Sequence, residues 1–416
     1  MIKTKNRLIK DNFDLNPDLT DHHPSEYESI NVRSQLPIIW HRAKDFNVFD
    51  EEGNKWIDMT SGIFAMNAGH SNPVVNDAIK KQLDSDLVFS FAYPTRIRQE
   101  VSKRLLDISP KHFEKVVLLN TGSEATDIAY KMIKMWAKRN NKKYIITFKG
   151  SFHGRVLSSD LICGDPESSD WSNIKDDDVR FLDFPYEPDT VFDTSLLPPG
   201  DQIAAFFIET YQGWGAWMYP RTYMKDLYSF ARSNGALICF DEIQAGMYRM
   251  GTLYGYMTYG DYIKPDIVCL AKGLSAPLPL SAVLSSRDMI DGITKVGGTN
   301  AGNPLCCASS MANIKFLTNE AFQKELREKV EIFETKFKSL EQYEPIKVVN
   351  VKGMVAGIIF NDAEIANNVI VDCAKKGVMV MNTWSTSIKI GPPLTISVEA
   401  LNEAIDVVEE CIKNEQ

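Results

Sequence analysis

Short apolar runs alternate with segments of helical period from about Pro73 to Ser285. The runs fall at 116–120, 144–148, 204–209, 236–241, 266–270 and 281–285. Each has the length and the content of β-branched and aromatic residues expected of a strand. Runs that are apolar throughout, rather than alternating, predict strands buried on both faces. Their alternation with helical segments such as Ile128, Met132, Met135 and Trp136 predicts a mostly parallel sheet covered by helices. Upstream, 47–58 reads as a hairpin around an acidic Gly53 turn. Downstream, 303–340 carries Met311, Ile314, Leu317 and Phe322 at near-helical spacing, which predicts one long helical stretch. Strands at 354–360, 378–381 and 388–390 follow, with helices near 362–376 and 398–413 to cover them. Residues 1–30 are polar and weakly patterned and read as an arm.

A chain of 416 residues exceeds one ordinary core, so the pattern divides into a large and a small domain. The arm and hairpin occupy 1–60 and belong with the small domain; 61–305 forms the large domain and 306–416 the small α+β one. Charged residues make up 24% and hydrophobic residues 44%, as in water-soluble enzymes. A formal charge of −9 argues against a nucleic-acid partner. No run of 18 apolar residues is present, so no membrane-spanning helix is expected. Residues 1–7 lack the apolar stretch of a signal peptide. Seven scattered cysteines, several inside apolar runs, read as reduced core residues of a cytoplasmic protein, and none has the spacing of a metal site.

The candidate chemistry lies at the ends of the apolar runs. Lys272 closes the run that begins at Asp266. A buried lysine loses its charge to desolvation, and its free amine condenses with an aldehyde, of which pyridoxal 5′-phosphate (PLP) is the commonest in enzymes. A lone lysine after a strand is as well read as a solvated loop residue, so its company decides. Asp241 ends the 236–241 run, where it would keep a pyridine nitrogen protonated; alone, it reads equally as a helix N-cap. Thr121, Gly122 and Ser123 follow 116–120 and open a helix. Such a turn offers N–H groups, two hydroxyls and the positive end of the helix dipole to a phosphate, or is an ordinary cap. Phe152, between Gly150 and Gly154, is placed to lean over a flat ring, with His153 in support.

Asn120–Ala125, Gly150–Arg155, Asp241–Gly251, Ala271–Gly273 and Gly297–Pro304, taken in this order, resemble the class III aminotransferases, which are PLP enzymes of fold type I. The resemblance runs from about Trp56 to the carboxyl end and includes Asn67–His70 and Gly391–Leu394. It implies that Lys272 holds PLP, Asp241 pairs with the pyridine nitrogen, Phe152 stacks on the ring and Gln244 lies near the ring hydroxyl. It also implies that Gly122 and Ser123 bind the phosphate and that Glu209 supports the site. Thr299 would reach the phosphate of the other subunit, which makes the active unit a homodimer with sites at the interface. Two positions depart from the family pattern. Trp214 stands where many members have a glutamate, and Lys389 stands where many have an arginine that clamps a substrate carboxylate. Lysine is a point charge without the arginine fork, so a different recognition scheme is expected, drift being the alternative. Phe64, Tyr93, Trp214 and Lys389 are the candidate substrate contacts, in a pocket that is partly apolar.

The expected activity is transfer of an amino group from an amine or amino-acid donor to a keto or aldehyde acceptor by a ping-pong mechanism, with an atypical or terminal-amine substrate. Epimerisation, racemisation, elimination or amino-group migration on the same scaffold is the alternative. A scaffold that has lost activity is disfavoured, because Lys272, Asp241 and the phosphate turn are all present.

Overall fold

The computed structural model describes residues 1–15, 36–165, 171–384 and 386–415. Its centre is a seven-stranded sheet in the spatial order Lys115–Leu119, Ser281–Ser285, Ile267–Leu270, Leu237–Asp241, Ile203–Glu209, Tyr144–Phe148, Val179–Leu182. The sheet is parallel except for Ser281–Ser285, which runs antiparallel to both neighbours. Successive side chains point to opposite faces, and both faces are apolar. Ile145, Phe207 and Cys239 pack with Ala129, Met132 and Ile133 of the Gly122–Arg139 helix. Ile146, Phe206 and Phe240 join the larger core on the other face, with Leu105 and Leu227 of the Arg96–Ile108 and Arg221–Ser233 helices. Burial on both faces is why these strands show no hydrophobic alternation in sequence.

A second sheet of four antiparallel strands has the order Ile346–Lys352, Val355–Phe360, Ser387–Ile390, Met381–Asn382. Helices Glu320–Ser339, Ala363–Lys375 and Val398–Lys413 contribute Phe333, Val369 and Leu401 to its core. A third sheet joins the two ends of the chain. Leu8–Ile9 pairs with Ile2–Lys3 on one side and with Lys55–Asp58 on the other; Asn47–Phe49 continues the sheet beyond Lys55–Asp58, to which Val378–Met379 adds in parallel. The Trp56 indole N–H donates to Ala374 O at 2.8 Å.

Three sequence expectations are adjusted. The stretch at 303–340 is two helices, Pro304–Leu317 and Glu320–Ser339, because the Asn319 side chain accepts from the N–H groups of Ala321 and Phe322 and starts a new helix. The run at 378–381 divides between two sheets. Of the expected arm, 16–30 lies outside the described residues, and 1–15 contributes strands instead. Strands Val179–Leu182 and Ile346–Lys352 had no expectation; their polar residues at alternate positions hid them.

The Arg249 guanidinium ties these parts together. It is fully buried and donates to Met354 O (3.0 Å), Pro392 O (2.7 Å), Ser61 Oγ (3.0 Å) and Asn67 Oδ1 (2.8 Å). Burial pulls its pKa down to about 10. Arg249→Ala leaves these four acceptors without their donor and opens a cavity. It is expected to lower unfolding stability in urea by about 3–5 kcal/mol, the range found when a buried charged network is broken. A loss under about 1 kcal/mol would show that the four contacts are incidental.

Candidate active site

Lys272, Asp241, Glu209, the 121–123 turn and Phe152–His153 sit at or just beyond the carboxyl ends of central strands, the edge at which open α/β sheets bind ligands. Asp241 and Glu209 end neighbouring strands and face each other in register, with Cys269 opposite Asp241 on the other side. Lys272 follows Ile267–Leu270 after one residue and takes φ 43°, a left-handed conformation rare outside glycine that marks a locally strained site. Asn120–Ser123 follow Lys115–Leu119, and Ser151–Arg155 follow Tyr144–Phe148. Together they line a cavity of about 1100 Å³ that also includes Gly122, Phe152, Gln244, Trp214 and Trp384.

The start of the Gly122–Arg139 helix carries a reciprocal cap. Thr121 Oγ1 accepts from Glu124 N–H at 3.2 Å, and the Glu124 carboxylate accepts from the Asn120 and Thr121 N–H groups at 2.8 Å each. The N–H groups of Gly122 and Ser123 have no acceptor among the described residues and face the cavity end of the helix dipole, a ready anion site. A Cβ at 122 would fall 3.0 Å from Ile243 Cδ1, a tight approach that the isoleucine side chain would have to yield to. Gly154 takes φ 135°, and a Cβ there would fall 2.4 Å from Ser123 Oγ. Arg155 N–H then donates to that oxygen at 3.1 Å, which seats the aromatic loop on the helix start.

Asp241 Oδ2 lies 2.9 Å from His153 Nδ1, and Asp241 Oδ1 accepts from Ile243 N–H at 3.0 Å. The His153 ring is buried edge-on against Phe207. Phe152 is 50% exposed at the cavity wall, with the Arg155 guanidinium 5.7 Å from its ring centre. Burial pulls the Lys272 pKa down, while the charges of Asp241 and Glu209 pull it back up. Glu209 accepts from Phe152 N–H and Gly213 N–H, each at 3.1 Å, and burial pushes its pKa up to about 7 against the opposing charges of His153 and Lys389.

Lys389 is not a cavity residue, which corrects the sequence expectation. It is 1% exposed, and its ammonium donates to Gly213 O and Gln244 Oε1. It also lies 4.6 Å from the centre of the Phe64 ring and 5.1 Å from that of Tyr211. Burial, with the charges of Lys272 and Arg249, holds its pKa well below the ordinary value. The lysine braces the wall from behind. Phe64 is corrected for the same reason. It is 1% exposed between the Lys389 and Arg249 cations and packs so tightly on Gly391 that a Cβ there would meet it at 1.9 Å; its neighbour Ile63 lines the cavity instead. Tyr93 is 78% exposed and lies outside the lining. Thr299 is exposed and also lies outside it. Trp214 does line the cavity.

Sequence reasoning missed Arg155 as a site residue. Among the described lining residues, Arg155 is the one arginine and Lys272 the one lysine. The signal was there, since Arg155 closes the Gly-Ser-Phe-His-Gly-Arg motif. Glu242 was also passed over. Its carboxylate accepts from Thr210 Oγ1 and from the N–H groups of Gly255 and Tyr256, and it fixes the chain beyond Asp241. Among the described residues no cluster of His, Cys, Asp and Glu has the make-up of a metal site, and no helix is long and apolar enough to cross a membrane.

The family described as aminotransferase class-III matches residues 29–412. Ornithine aminotransferase 2 of Staphylococcus saprophyticus is 32% identical over 382 residues, covering 90% of this chain and 93% of that protein. Acetylornithine aminotransferase of Caldanaerobacter subterraneus is 29% identical over 393 residues, covering 92% and 96%. Among solved structures, the ornithine aminotransferase of Toxoplasma gondii superposes with a TM-score of 0.84 over 95% of this chain and 94% of that one, at 22% identity. An S-selective transaminase from Bacillus megaterium gives 0.81 over 95% and 96%, at 21% identity.

The raised Glu209 pKa gives a stability prediction. The folded protein holds this proton more tightly than the unfolded chain, whose carboxyl titrates near 4.5. The unfolded state therefore loses its proton first, and stability falls as pH rises from about 4.5 to 7. Glu209→Gln removes this contribution. Between pH 5 and 7, the stability of the native protein relative to the variant should fall by on the order of 1–3 kcal/mol, at about 1.4 kcal/mol per tenfold change in proton affinity. Denaturant midpoints at several pH values measure it; parallel curves for the two proteins would contradict it.

Proposed function

The chain belongs to the class III aminotransferases, PLP-dependent enzymes of fold type I, and we propose that Lys272 anchors the cofactor and that the donor is a terminal primary amine. The observation that carries the reading is the meeting of the Lys272 amine with the Asp241 and Glu209 charges at one sheet edge, beside two free N–H groups. The donor set fits PLP: an anion site at Gly122 and Ser123, an acid at Asp241, an aromatic face at Phe152 and a lysine. Gln244, its side chain fixed by Lys389, is assigned to the ring hydroxyl side. Bound PLP supplies an aldehyde that accepts the amino group and a pyridine ring that draws electrons from the adjacent carbon.

The chain's own residues do the rest. Asp241, oriented by His153, keeps the proton on the pyridine nitrogen. Lys272 Nζ, once released from the cofactor, would take a proton from the amine-bearing carbon of the donor and, in the second half-reaction, deliver one to the former carbonyl carbon of the acceptor; a depressed lysine pKa aids the first transfer. Thr121, through its cap with Glu124, holds the helix start in the form that leaves the Gly122 and Ser123 N–H groups free. Arg155 is the lining cation available to a substrate carboxylate, in place of the expected Lys389. The relatives named for ornithine and acetylornithine support a terminal amine, since ornithine carries one.

A donor panel of ornithine, N-acetylornithine, alanine and uncharged terminal amines, with 2-oxoglutarate and pyruvate as acceptors, tests the reading through the change in cofactor absorbance. Terminal amines should be preferred over alanine. Lys272→Ala should lose the borohydride-reducible link to PLP and at least about 10²–10⁴ in rate. A link that forms at another lysine would overturn the assignment.

We also assign a homodimer, in which Thr299 serves the partner's cofactor site. Leu87, Val88, Phe89, Phe91 and Tyr93 form a run of exposed apolar residues, and such runs mark interfaces. Phe89→Asp combined with Phe91→Asp should shift sedimentation from dimer to monomer and abolish turnover; an active monomer would contradict the assignment. All seven cysteines are free thiols, which fits a reducing cytoplasm.

A further inference from the structure

We propose that Trp384 and Trp214 form a preformed aromatic subsite at the cavity wall that takes an apolar, preferably aromatic, group at the distal end of the amine donor. The proposal rests on the aminotransferase reading and names the donor's other end.

The two indoles lie 5.3 Å apart at 47°, and both line the cavity that holds Lys272. Behind them Trp217 stands 5.9 Å from Trp214, and Tyr186 stands 4.9 Å from Trp217. Trp384 caps this row. It is 53% exposed and takes φ 68°, a backbone conformation costly for a bulky residue. Much of this large apolar face is therefore left uncovered by the described chain.

The wall is fixed before any ligand arrives. Three successive carbonyls are each held by a side chain: Gly213 O by Lys389, Trp214 O by Thr383 Oγ1 and Ser387 Oγ, and Gly215 O by Asn350 Nδ2. The tight turn that carries Trp384 is closed by Thr383 N–H to Ser387 O at 3.0 Å. The polar edge of Trp214 is already satisfied, since its indole N–H donates to Gln212 Oε1 at 3.0 Å. The same oxygen accepts from Tyr186 OH at 3.2 Å, and Gln212 Nε2 donates to Lys149 O. Trp214 therefore presents ring face rather than a hydrogen-bonding group, which selects apolar over polar substituents. Because the backbone that carries Trp214 is held by these contacts, this half of the surface is formed before a ligand arrives.

The test compares 4-phenylbutylamine, n-butylamine and 1,4-diaminobutane as donors to the PLP-loaded enzyme. The phenyl donor should exceed n-butylamine in kcat/KM by about tenfold, as burial of a ring against aromatic neighbours gives. Trp384→Ala should bring that ratio close to one, and Trp384→Phe should keep most of it. Equal kcat/KM in the native enzyme, a ratio unmoved by Trp384→Ala, or a preference for the diamine would overturn the subsite. A second arm measures calorimetric binding of the unreactive 4-phenyl-1-butanol and 1-butanol to the same holoenzyme. Selective binding of the phenyl alcohol that weakens in Trp384→Ala, with no amine turned over, would sink the transamination reading and leave the subsite standing. Equal binding of the two alcohols would sink the subsite.

Discussion

Burial of charge at the seam between the two larger sheets is the constraint from which the site follows. The Arg249 guanidinium and the Lys389 amine lie out of water, 5.4 and 4.6 Å from the centre of the Phe64 ring. Neither has a carboxylate in direct contact, so each is answered by carbonyl and amide oxygens and by aromatic faces. Those acceptors come from segments remote in sequence: 61–67, 213, 244, 354 and 392. A buried cation left without any one of them is costly, so the five segments are held to a single arrangement. Glu209 stands at the edge of the same cluster and links it to the aromatic loop through Phe152 N–H.

This arrangement explains why a lysine at 389 need not act as a substrate clamp. Its stem and ammonium fill the space behind Gly213, where a Cβ would already lie within 3.1 Å of Glu209 Oε1. A long side chain that reached into the cavity would abandon two acceptors and a ring face. Arg155 lines the cavity on the loop that also carries Phe152, and that loop is seated on the helix start through Ser123 Oγ.

The central sheet was legible because its strands are apolar on both faces, and the carboxyl ends of those runs already marked Lys272, Asp241, Glu209 and the 121–123 turn. What the sequence could not convey is which way a side chain turns. Ile63 and Phe64 are adjacent and apolar, yet one lines the cavity and the other is sealed between two cations. Lys389 occupies a strand whose residues are buried throughout, and its strand-like neighbours gave no sign that its ammonium would find acceptors inside. The break at Thr318–Asn319 was visible as an asparagine before a glutamate, but the apolar spacing continued across it and masked the new start. Val179–Leu182 escaped notice because Arg180 and Phe181 are exposed, which leaves too few apolar positions to form a run.

The opposite ends of the cavity are built on different principles. At the sheet edge, charge is concentrated and desolvated, so proton affinities are displaced: a carboxyl near 7 and a lysine pulled below its usual value. Such displacement suits proton transfer, which needs a donor and an acceptor of similar strength. At the Trp384 end the Trp214 indole N–H is already paired with Gln212 Oε1, so what Trp214 offers a ligand is ring surface. Selection there follows size and shape, which discriminate by small factors, whereas an unpaired polar group discriminates by large ones. In the proposed arrangement the chemistry would be fixed by the buried charged groups at the sheet edge, and the choice of donor by the aromatic rings at the opposite end of the cavity.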